Sequence, residues 1–146
     1  MAKKVLCVCF GNTCRSPMMQ AFLQRDLGDD FIVESAGISR EAAGQPANSY
    51  SIKCLALRDM NLRGHTSRWI GELDLGAYTH IVCVGQEEKD AVLYLLNGRG
   101  IPVIIANEAG GGVPNPYEQG WNAYQKCAAT ISRVMPPIAD AIASRI

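Results

Sequence analysis

The chain has 146 residues, of which 48% are hydrophobic and 19% are charged. This length and composition indicate a single folded domain over residues 1–146 and exclude intrinsic disorder. The 14 basic and 14 acidic side chains cancel, so no overall charge favours nucleic acid or an anionic membrane as a partner. No apolar run approaches the roughly 18 residues of a membrane span, and no secretory signal pattern is present. We therefore expect a cytoplasmic protein.

The six cysteines do not indicate a disulfide framework or a metal site. A cytoplasmic domain of this size does not need disulfides to hold its core together. No cysteines are spaced as Cys-X2-Cys, and the chain has only two histidines, so we expect no zinc site and no cofactor. Four cysteines lie in apolar stretches and are expected to pack as small hydrophobic residues: Cys7, Cys54, Cys83 and Cys127.

Apolar runs and helix signals alternate along the chain. Strands are predicted at residues 4–10, 31–35, 78–84 and 101–106. Helices are predicted at about 16–28, 46–61, 87–97 and 119–144, with Pro136-Pro137 breaking or kinking the last one. This alternation predicts an α/β fold, a three-layer sandwich in which helices cover both faces of a four-stranded parallel sheet.

The turn after the first strand carries the strongest functional signal, Cys9-Phe-Gly-Asn-Thr-Cys-Arg15-Ser-Pro17. A turn from a buried strand into a helix presents unpaired backbone N–H groups and the positive end of the helix dipole, which favour an anion. The same field favours the thiolate form of Cys9, which is the nucleophile. Arg15 can bind two phosphate oxygens at once, and Ser16 can donate its hydroxyl to the sulfur. The pattern predicts a phosphoryl-transfer site.

At these residues the chain resembles the low-molecular-weight protein tyrosine phosphatases, whose phosphate loop reads Cys-X-Gly-Asn-X-Cys-Arg-Ser-Pro. The resemblance extends over nearly the whole chain through four further segments: Ser35-Ala-Gly37, Gly44-Gln-Pro46, Gly64-His65 and Asn115-Pro-Tyr117. It implies the strand order 2-1-3-4 and a phosphocysteine intermediate on Cys9. The partners it implies are a phosphoprotein or a small phosphomonoester, with phosphate, sulfate or vanadate as ligands of the site.

The resemblance also assigns the residues around the nucleophile. It implies that phosphate is bound by Phe10, Gly11, Asn12, Thr13, Cys14, Arg15 and Ser16. A hydrogen-bond network that holds the loop rigid is implied for Asn12, Ser16, Ser35 and His65. Cys14 resembles the second cysteine with which some family members form a reversible disulfide to the nucleophile, so we expect peroxide to produce a Cys9–Cys14 bridge.

The chain departs from the family at the residue that handles protons. The family's Asp-Pro-Tyr aspartate protonates the leaving oxygen and later activates water, but this position is Asn115, and an amide can do neither. General acid–base catalysis is worth about 10²–10⁴ in rate, so we expect slow turnover. Three explanations remain open: an engineered substitution, a natural one in which Glu118 or Glu108 supplies the proton, or a phosphate-binding relative with weak turnover.

Substrate choice is predicted from four positions: Thr13, Glu41, Tyr117 and Glu118. Glu41 stands where family members often carry an aromatic pocket wall, and Glu118 replaces a second aromatic residue beside Tyr117. A phosphotyrosine ring therefore has fewer faces to stack on, and Glu41 favours a cationic substrate. Thr13 resembles the protein-arginine phosphatase branch, where a threonine stands at this position.

The leading hypothesis is a cysteine-dependent phosphatase that hydrolyses phosphotyrosine or an aryl phosphate, slowed by Asn115. The alternatives are a protein-arginine phosphatase, a thiol-dependent arsenate reductase and a low-turnover phosphate-binding module. An arsenate reductase needs further redox cysteines on a mobile segment, and no cysteine follows Cys83 within a few residues.

Overall fold

The four apolar runs form one parallel sheet. The computed structural model describes residues 3–62 and 64–144, so both ends of the predicted domain lie outside the described residues. The strand order is β2-β1-β3-β4, all strands are parallel, and the predicted topology is thereby confirmed. The strands are β1 (Lys3–Cys9), β2 (Phe31–Gly37), β3 (His80–Cys83) and β4 (Val103–Ile105).

Helices cover both faces of the sheet, as predicted. The strand β1 is central, and its side chains alternate between two apolar clusters, with Val5, Cys7 and Cys9 in one and Leu6 and Val8 in the other. The first cluster is shared with α1 (Arg15–Leu27), α2 (Ser49–Ala56) and α4 (Trp121–Ala143), and the second with α3 (Gln86–Leu96). Short 3-10 helices lie at Ile70–Glu72, Leu75–Ala77 and Glu108–Gly110.

The second helix is shorter than predicted. It begins at Ser49 because Asn48 caps it, with the Asn48 side chain accepting the amide of Tyr50 at 2.8 Å. Pro46 lies instead in an isolated antiparallel bridge with Thr66. The chain leaves the helix after Ala56, well before the predicted end near Asn61.

The two prolines of α4 do not break it. The helix runs without interruption from Trp121 to Ala143. Pro136 and Pro137 are exposed, and the carbonyls that lose their helical partners belong to Ser132 and Arg133, which are partly or fully exposed. Water can therefore solvate these carbonyls, so the helix tolerates both prolines.

The cysteines predicted to be structural are buried and unpaired in the core. Burial raises the pKa of the Cys127 thiol to about 12, so this group stays protonated and packs as a small apolar side chain. Burial likewise raises the pKa of Cys7, Cys54 and Cys83. Among the described residues, no helix has the length and hydropathy to cross a lipid bilayer.

Candidate active site in the β1–α1 loop

The β1–α1 loop, residues 10–14, lies at the carboxyl end of the central strand. The helix α1 begins at Arg15, one residue earlier than predicted, with Cys14 at its N-cap. The N-cap residue makes no side-chain hydrogen bond to the first turn, and that turn contains no acidic residue. The backbone N–H groups at this helix end therefore have no competing side-chain acceptor, which leaves them available to an anion.

The carbonyl oxygens around the loop are hydrogen-bonded to the surrounding protein. The peptide N–H that follows each carbonyl points the opposite way because the peptide is trans. Anchoring the oxygens outward thus turns the amides inward, which creates an anion-binding concavity. The bonded pairs are Cys9 O with the amide of Ile38 (3.1 Å), Phe10 O with the amide of Ser39 (2.9 Å), Thr13 O with the amide of Asn48 (2.8 Å) and Cys14 O with the hydroxyl of Ser51 (3.2 Å).

Asn12 fixes the middle of the loop. It is fully buried and has a left-handed backbone with φ 59°, a conformation that asparagine tolerates better than most residues. Its side chain donates to Ser16 Oγ at 2.8 Å and accepts the amide of Arg68 at 2.9 Å. Its carbonyl contacts His65 Nε2 at 2.8 Å, and its amide donates to Cys9 Sγ at 3.2 Å. One hydrogen-bond network therefore joins Asn12, Ser16 and His65, as the family resemblance implies.

The sulfur of Cys9 lies on the floor of the concavity. It is 3.0 Å from Ser16 Oγ and 3.2 Å from the amide nitrogen of Asn12. A backbone amide and a side-chain hydroxyl therefore converge on the sulfur. Cys9 is only 2% exposed, and it lines the cavity above the loop.

That cavity has a volume of about 650 Å³. Its floor is formed by loop residues, including Cys9 and Arg15, and one wall by residues of the segment 41–48. Asn115 and Tyr117 also line the cavity. Among the described lining residues, Glu41 is the one carboxylate. The cavity can therefore hold a phosphoryl group on its floor and the body of a substrate between its walls.

Three of the residues considered in the sequence lie elsewhere. Ser35 was expected in the Asn12 network, but its hydroxyl donates to Gln20 Oε1 at 2.5 Å. Only its carbonyl takes part nearby, accepting the Arg68 guanidinium at 3.2 Å. Glu118 and Glu108 are exposed and do not line the cavity. The prediction of Glu118 as a pocket residue is therefore wrong.

Asn115 forms the local turn that Asn-Pro sequences favour. Its Oδ1 accepts the amide of Tyr117 at 3.1 Å, as in an Asx turn. An aspartate could accept the same bond, so the position accommodates either side chain without a change in the backbone. The difference between them is chemical, because only the carboxylic acid can transfer a proton.

The structure adds an aromatic wall that the sequence reasoning missed. Phe10 is 48% exposed and lines the cavity, as does Tyr117, which is 54% exposed. The family resemblance implies only a phosphate-binding role for Phe10. The sequence did offer a signal for an exposed ring at this position, namely a large apolar side chain within a polar turn, where little protein is available to bury it.

Cys14 lines the same cavity, but its thiol is engaged with α4. Its Sγ lies 3.2 Å from the hydroxyl of Tyr124. Burial raises the pKa of Cys14, and the Tyr124 hydrogen bond opposes that rise. Within the described residues, no group of three or more His, Cys, Asp or Glu side chains is arranged to bind a metal ion.

Comparison with known proteins identifies relatives over nearly the whole chain. A family model described as low molecular weight phosphotyrosine protein phosphatase matches residues 4–145. The probable low molecular weight protein-tyrosine-phosphatase EpsP of Ralstonia solanacearum is 28% identical over 134 residues, which cover 91% of each chain. The low molecular weight phosphotyrosine protein phosphatase of Sus scrofa is 28% identical over 91 residues, and the match spans 57% of its length and 59% of this chain.

A solved structure shows the same architecture. Wzb of Vibrio vulnificus in complex with benzylphosphonate superposes with a TM-score of 0.83 and 26% sequence identity, covering 97% of this chain and 99% of that chain.

Gly37 allows the loop to lie against the end of β2. A Cβ at this position would be 2.7 Å from Phe10 O, 2.9 Å from the Asn12 amide nitrogen and 2.9 Å from the Gly11 carbonyl carbon, all of them backbone atoms. We predict that Gly37→Ala displaces the loop, weakens phosphate binding at least about 10-fold and destabilises the fold by about 1–3 kcal/mol. Isothermal titration calorimetry and urea unfolding measure the two effects.

Gly100→Ala is the matched control, because no heavy atom lies within 4 Å of a Cβ at Gly100. Unchanged phosphate affinity in Gly37→Ala would show that the loop position does not depend on this contact.

His65 links the stability of the protein to pH. Burial lowers the pKa of His65 below its ordinary value of 6.5, and the Arg68 charge lowers it further, while the hydrogen bond to Asn12 opposes the shift. The unfolded chain therefore binds the proton at a higher pH than the folded protein does. We predict that the free energy of unfolding falls as the pH drops below about 6.5.

The contribution of His65 is isolated with His65→Gln, whose amide can replace the hydrogen bond to Asn12 but does not titrate. The stability difference between the two proteins, measured by urea unfolding from pH 8 to pH 5, should shift in favour of the variant as the pH falls. Parallel pH profiles would contradict the prediction.

Proposed function

Because the chain belongs to the low molecular weight phosphotyrosine protein phosphatase family, we propose that it hydrolyses phosphotyrosine or aryl phosphates through a phosphocysteine intermediate. The observation that carries this proposal is the position of Cys9 Sγ, which is 3.2 Å from a loop amide and 3.0 Å from the Ser16 hydroxyl on the floor of an anion-binding concavity.

In the first step the Cys9 thiolate attacks phosphorus in line with the leaving oxygen. The S–P bond forms and the P–O bond breaks, so the aryl oxide leaves with the bonding pair and takes up a proton. The inward amides and the Arg15 guanidinium stabilise the negative charge on the equatorial phosphoryl oxygens. In the second step water attacks phosphorus, the P–S bond breaks, and inorganic phosphate leaves while the thiolate is regenerated.

Ser16 assists both steps through the sulfur. Its hydroxyl lies 3.0 Å from Cys9 Sγ and is oriented by the Asn12 amide group at 2.8 Å. A donor held there stabilises the thiolate before attack and again when it departs from phosphorus. Because the Asn12 side chain donates to the hydroxyl oxygen, the single Ser16 proton can go either to Cys9 Sγ at 3.0 Å or to the more distant Ala36 carbonyl at 3.4 Å, and the proposal assigns it to the sulfur.

Proton transfer is the weak part of the proposed reaction. Asn115 occupies the wall of the cavity and cannot donate a proton to the leaving oxygen. Glu108 and Glu118, the substitutes considered from the sequence, lie outside the cavity lining. Glu41 is the one carboxylate that lines the cavity in the described part of the chain. We propose that in the first step the leaving oxygen receives its proton from water, so that turnover is slow for substrates with basic leaving groups.

We predict that Asn115→Asp raises kcat by about 10²-fold or more on phenyl phosphate, with a smaller gain on para-nitrophenyl phosphate. The carboxylic acid matters more for phenyl phosphate because phenoxide is the more basic leaving group. The turn is retained, since an aspartate can accept the Tyr117 amide as Asn115 does. Steady-state hydrolysis of both esters is the measurement.

Glu118→Gln serves as the control because Glu118 lies outside the cavity lining, and Cys9→Ser should be inactive. If the kcat of the unmodified chain already equals that of Asn115→Asp, another group supplies the proton, and Glu41→Gln is the variant to examine next. If no variant forms a phosphocysteine in acid-quenched mass spectrometry while all bind phosphate, the chain is a phosphate-binding module. Arsenate reduction by the unmodified chain would favour the reductase alternative.

The second candidate is hydrolysis of phosphoarginine. It is favoured by the carboxylate of Glu41, the one acid among the described cavity residues, which suits a cationic substrate. Two aromatic side chains on the rim, Phe10 and Tyr117, favour phosphotyrosine instead, because a ring can stack against them. Within residues 3–62 and 64–144, two aromatic rings line the cavity beside a single carboxylate, so phosphotyrosine remains the first proposal.

We predict that Phe10→Ala raises KM for a phosphotyrosine peptide by about 2- to 12-fold, the equivalent of about 0.5–1.5 kcal/mol of aromatic contact. Tyr94→Ala is the matched control, because Tyr94 is 83% exposed and does not line the cavity. The same assay on a phosphoarginine peptide decides between the candidates. A higher kcat/KM on phosphoarginine that falls in Glu41→Gln would assign the chain to the second.

A reversible Cys9–Cys14 disulfide stays a prediction. Both sulfurs belong to residues that line the cavity, and the Cys14 thiol would have to leave the hydroxyl of Tyr124 to form the bond.

A further inference from the structure

The Arg15 side chain contacts two groups that lie outside the β1–α1 loop. Its Nη1 donates to the carbonyl of Val113 at 2.9 Å. Its Nη2 lies 4.0 Å from Oε2 of Glu88, and the two side chains are only 10% and 6% exposed. A buried guanidinium needs such partners, because an unpaired charge in this environment is strongly disfavoured.

Glu88 reaches Arg15 from the first turn of α3. This helix begins at Gln86, at the same carboxyl edge of the sheet as the β1–α1 loop. Gly85 leaves space for the carboxylate, since a Cβ there would be 3.3 Å from Glu88 Oε1. Burial raises the pKa of the Glu88 carboxyl, while a hydrogen bond from its own backbone amide and the nearby Arg15 charge oppose that rise.

A glutamate three residues after a helix N-cap also has an ordinary structural use, because it can accept backbone N–H groups at the helix start. That use requires a hydrogen-bond acceptor and no net charge. The contact with Arg15 depends on the charge and involves Oε2, whereas Oε1 faces Gly85. The two uses can therefore be separated by replacing the carboxylate with an amide.

We propose that Glu88 is a positioning residue, which fixes the Arg15 guanidinium so that its free N–H groups meet the phosphoryl oxygens in the transition state. This inference rests on the proposed function. The guanidinium has five N–H donors in one plane. Val113 and Glu88, which do not line the cavity, each engage one terminal nitrogen, so the remaining N–H groups are left for a ligand. Glu88 itself does not line the cavity and so acts through Arg15.

The test compares Glu88→Gln with Glu87→Gln. Both substitutions remove one negative charge from the same helical turn, but Glu87 is exposed and Glu88 is buried. For Glu88→Gln we expect kcat to fall about 10- to 100-fold with KM changed less than about 3-fold, because the lost contact acts in the transition state. Glu87→Gln should match the unmodified chain. A normal kcat in Glu88→Gln would overturn the proposal, as would a change confined to KM.

A double-mutant cycle determines whether Glu88 acts through Arg15. In an Arg15→Lys background the planar fork is absent, so Glu88→Gln should cost less than about 3-fold in kcat. An equal loss in both backgrounds would overturn the proposal.

If Glu88→Gln fails to fold, Glu88→Asp is the variant to use. It keeps the negative charge but moves the carboxylate away from Arg15 by one methylene, so we expect kcat to fall here too. A normal kcat in Glu88→Asp would then overturn the proposal.

Vanadate binding separates this inference from the proposed function. Vanadate resembles the transition state of phosphoryl transfer, so its affinity should weaken in Glu88→Gln by the same factor as kcat. If the unmodified chain hydrolyses no phosphomonoester, the proposed function fails, yet vanadate still reports on the orientation of Arg15. Unchanged vanadate affinity in folded Glu88→Gln would overturn the positioning role in either case.

Discussion

The site depends first on the outward anchoring of the carbonyl oxygens around the β1–α1 loop. Each anchored carbonyl turns the following amide toward the cavity, because the peptide unit is planar and trans. Asn12 holds the centre of this arrangement with its left-handed backbone and its buried side chain. A loop that already points its donors at the anion needs little rearrangement when phosphate binds, and such preorganisation is the main source of electrostatic catalysis.

Three separate parts of the fold contribute to the surroundings of the Arg15 guanidinium. The loop and α1 supply the amides and Arg15, while the segment after β4 supplies the Val113 carbonyl and α3 supplies Glu88. All of these elements begin at the carboxyl edge of the parallel sheet, which is why a long-range contact such as Arg15–Glu88 can form. The Val113 carbonyl and the Glu88 carboxylate each engage one terminal nitrogen of the guanidinium, and its other N–H groups are left for a ligand.

Asn115 shows how the chemistry of the site can change while the backbone stays the same. Asn115 makes the same turn that an aspartate would make, through the amide of Tyr117. The local conformation therefore places no constraint on which of the two residues is present. The proton-transfer capacity of the site and the shape of its loop are independent properties, so a chain can retain anion binding without rapid turnover.

The sequence by itself determined the sheet, the strand-to-helix turn and the position of Cys9 at the end of the first strand, because these follow from local patterns of hydrophobicity and spacing. It did not determine which face of β2 Ser35 occupies, since a shift of one residue in a strand reverses the face. The start of α2 was missed because the cap at Asn48 competes with the helix signal of Pro46. The aromatic rim at Phe10 and the partnership of Arg15 with Glu88 were decided only by tertiary structure. They join residues that are far apart in the chain, and no local pattern reports the distance between them.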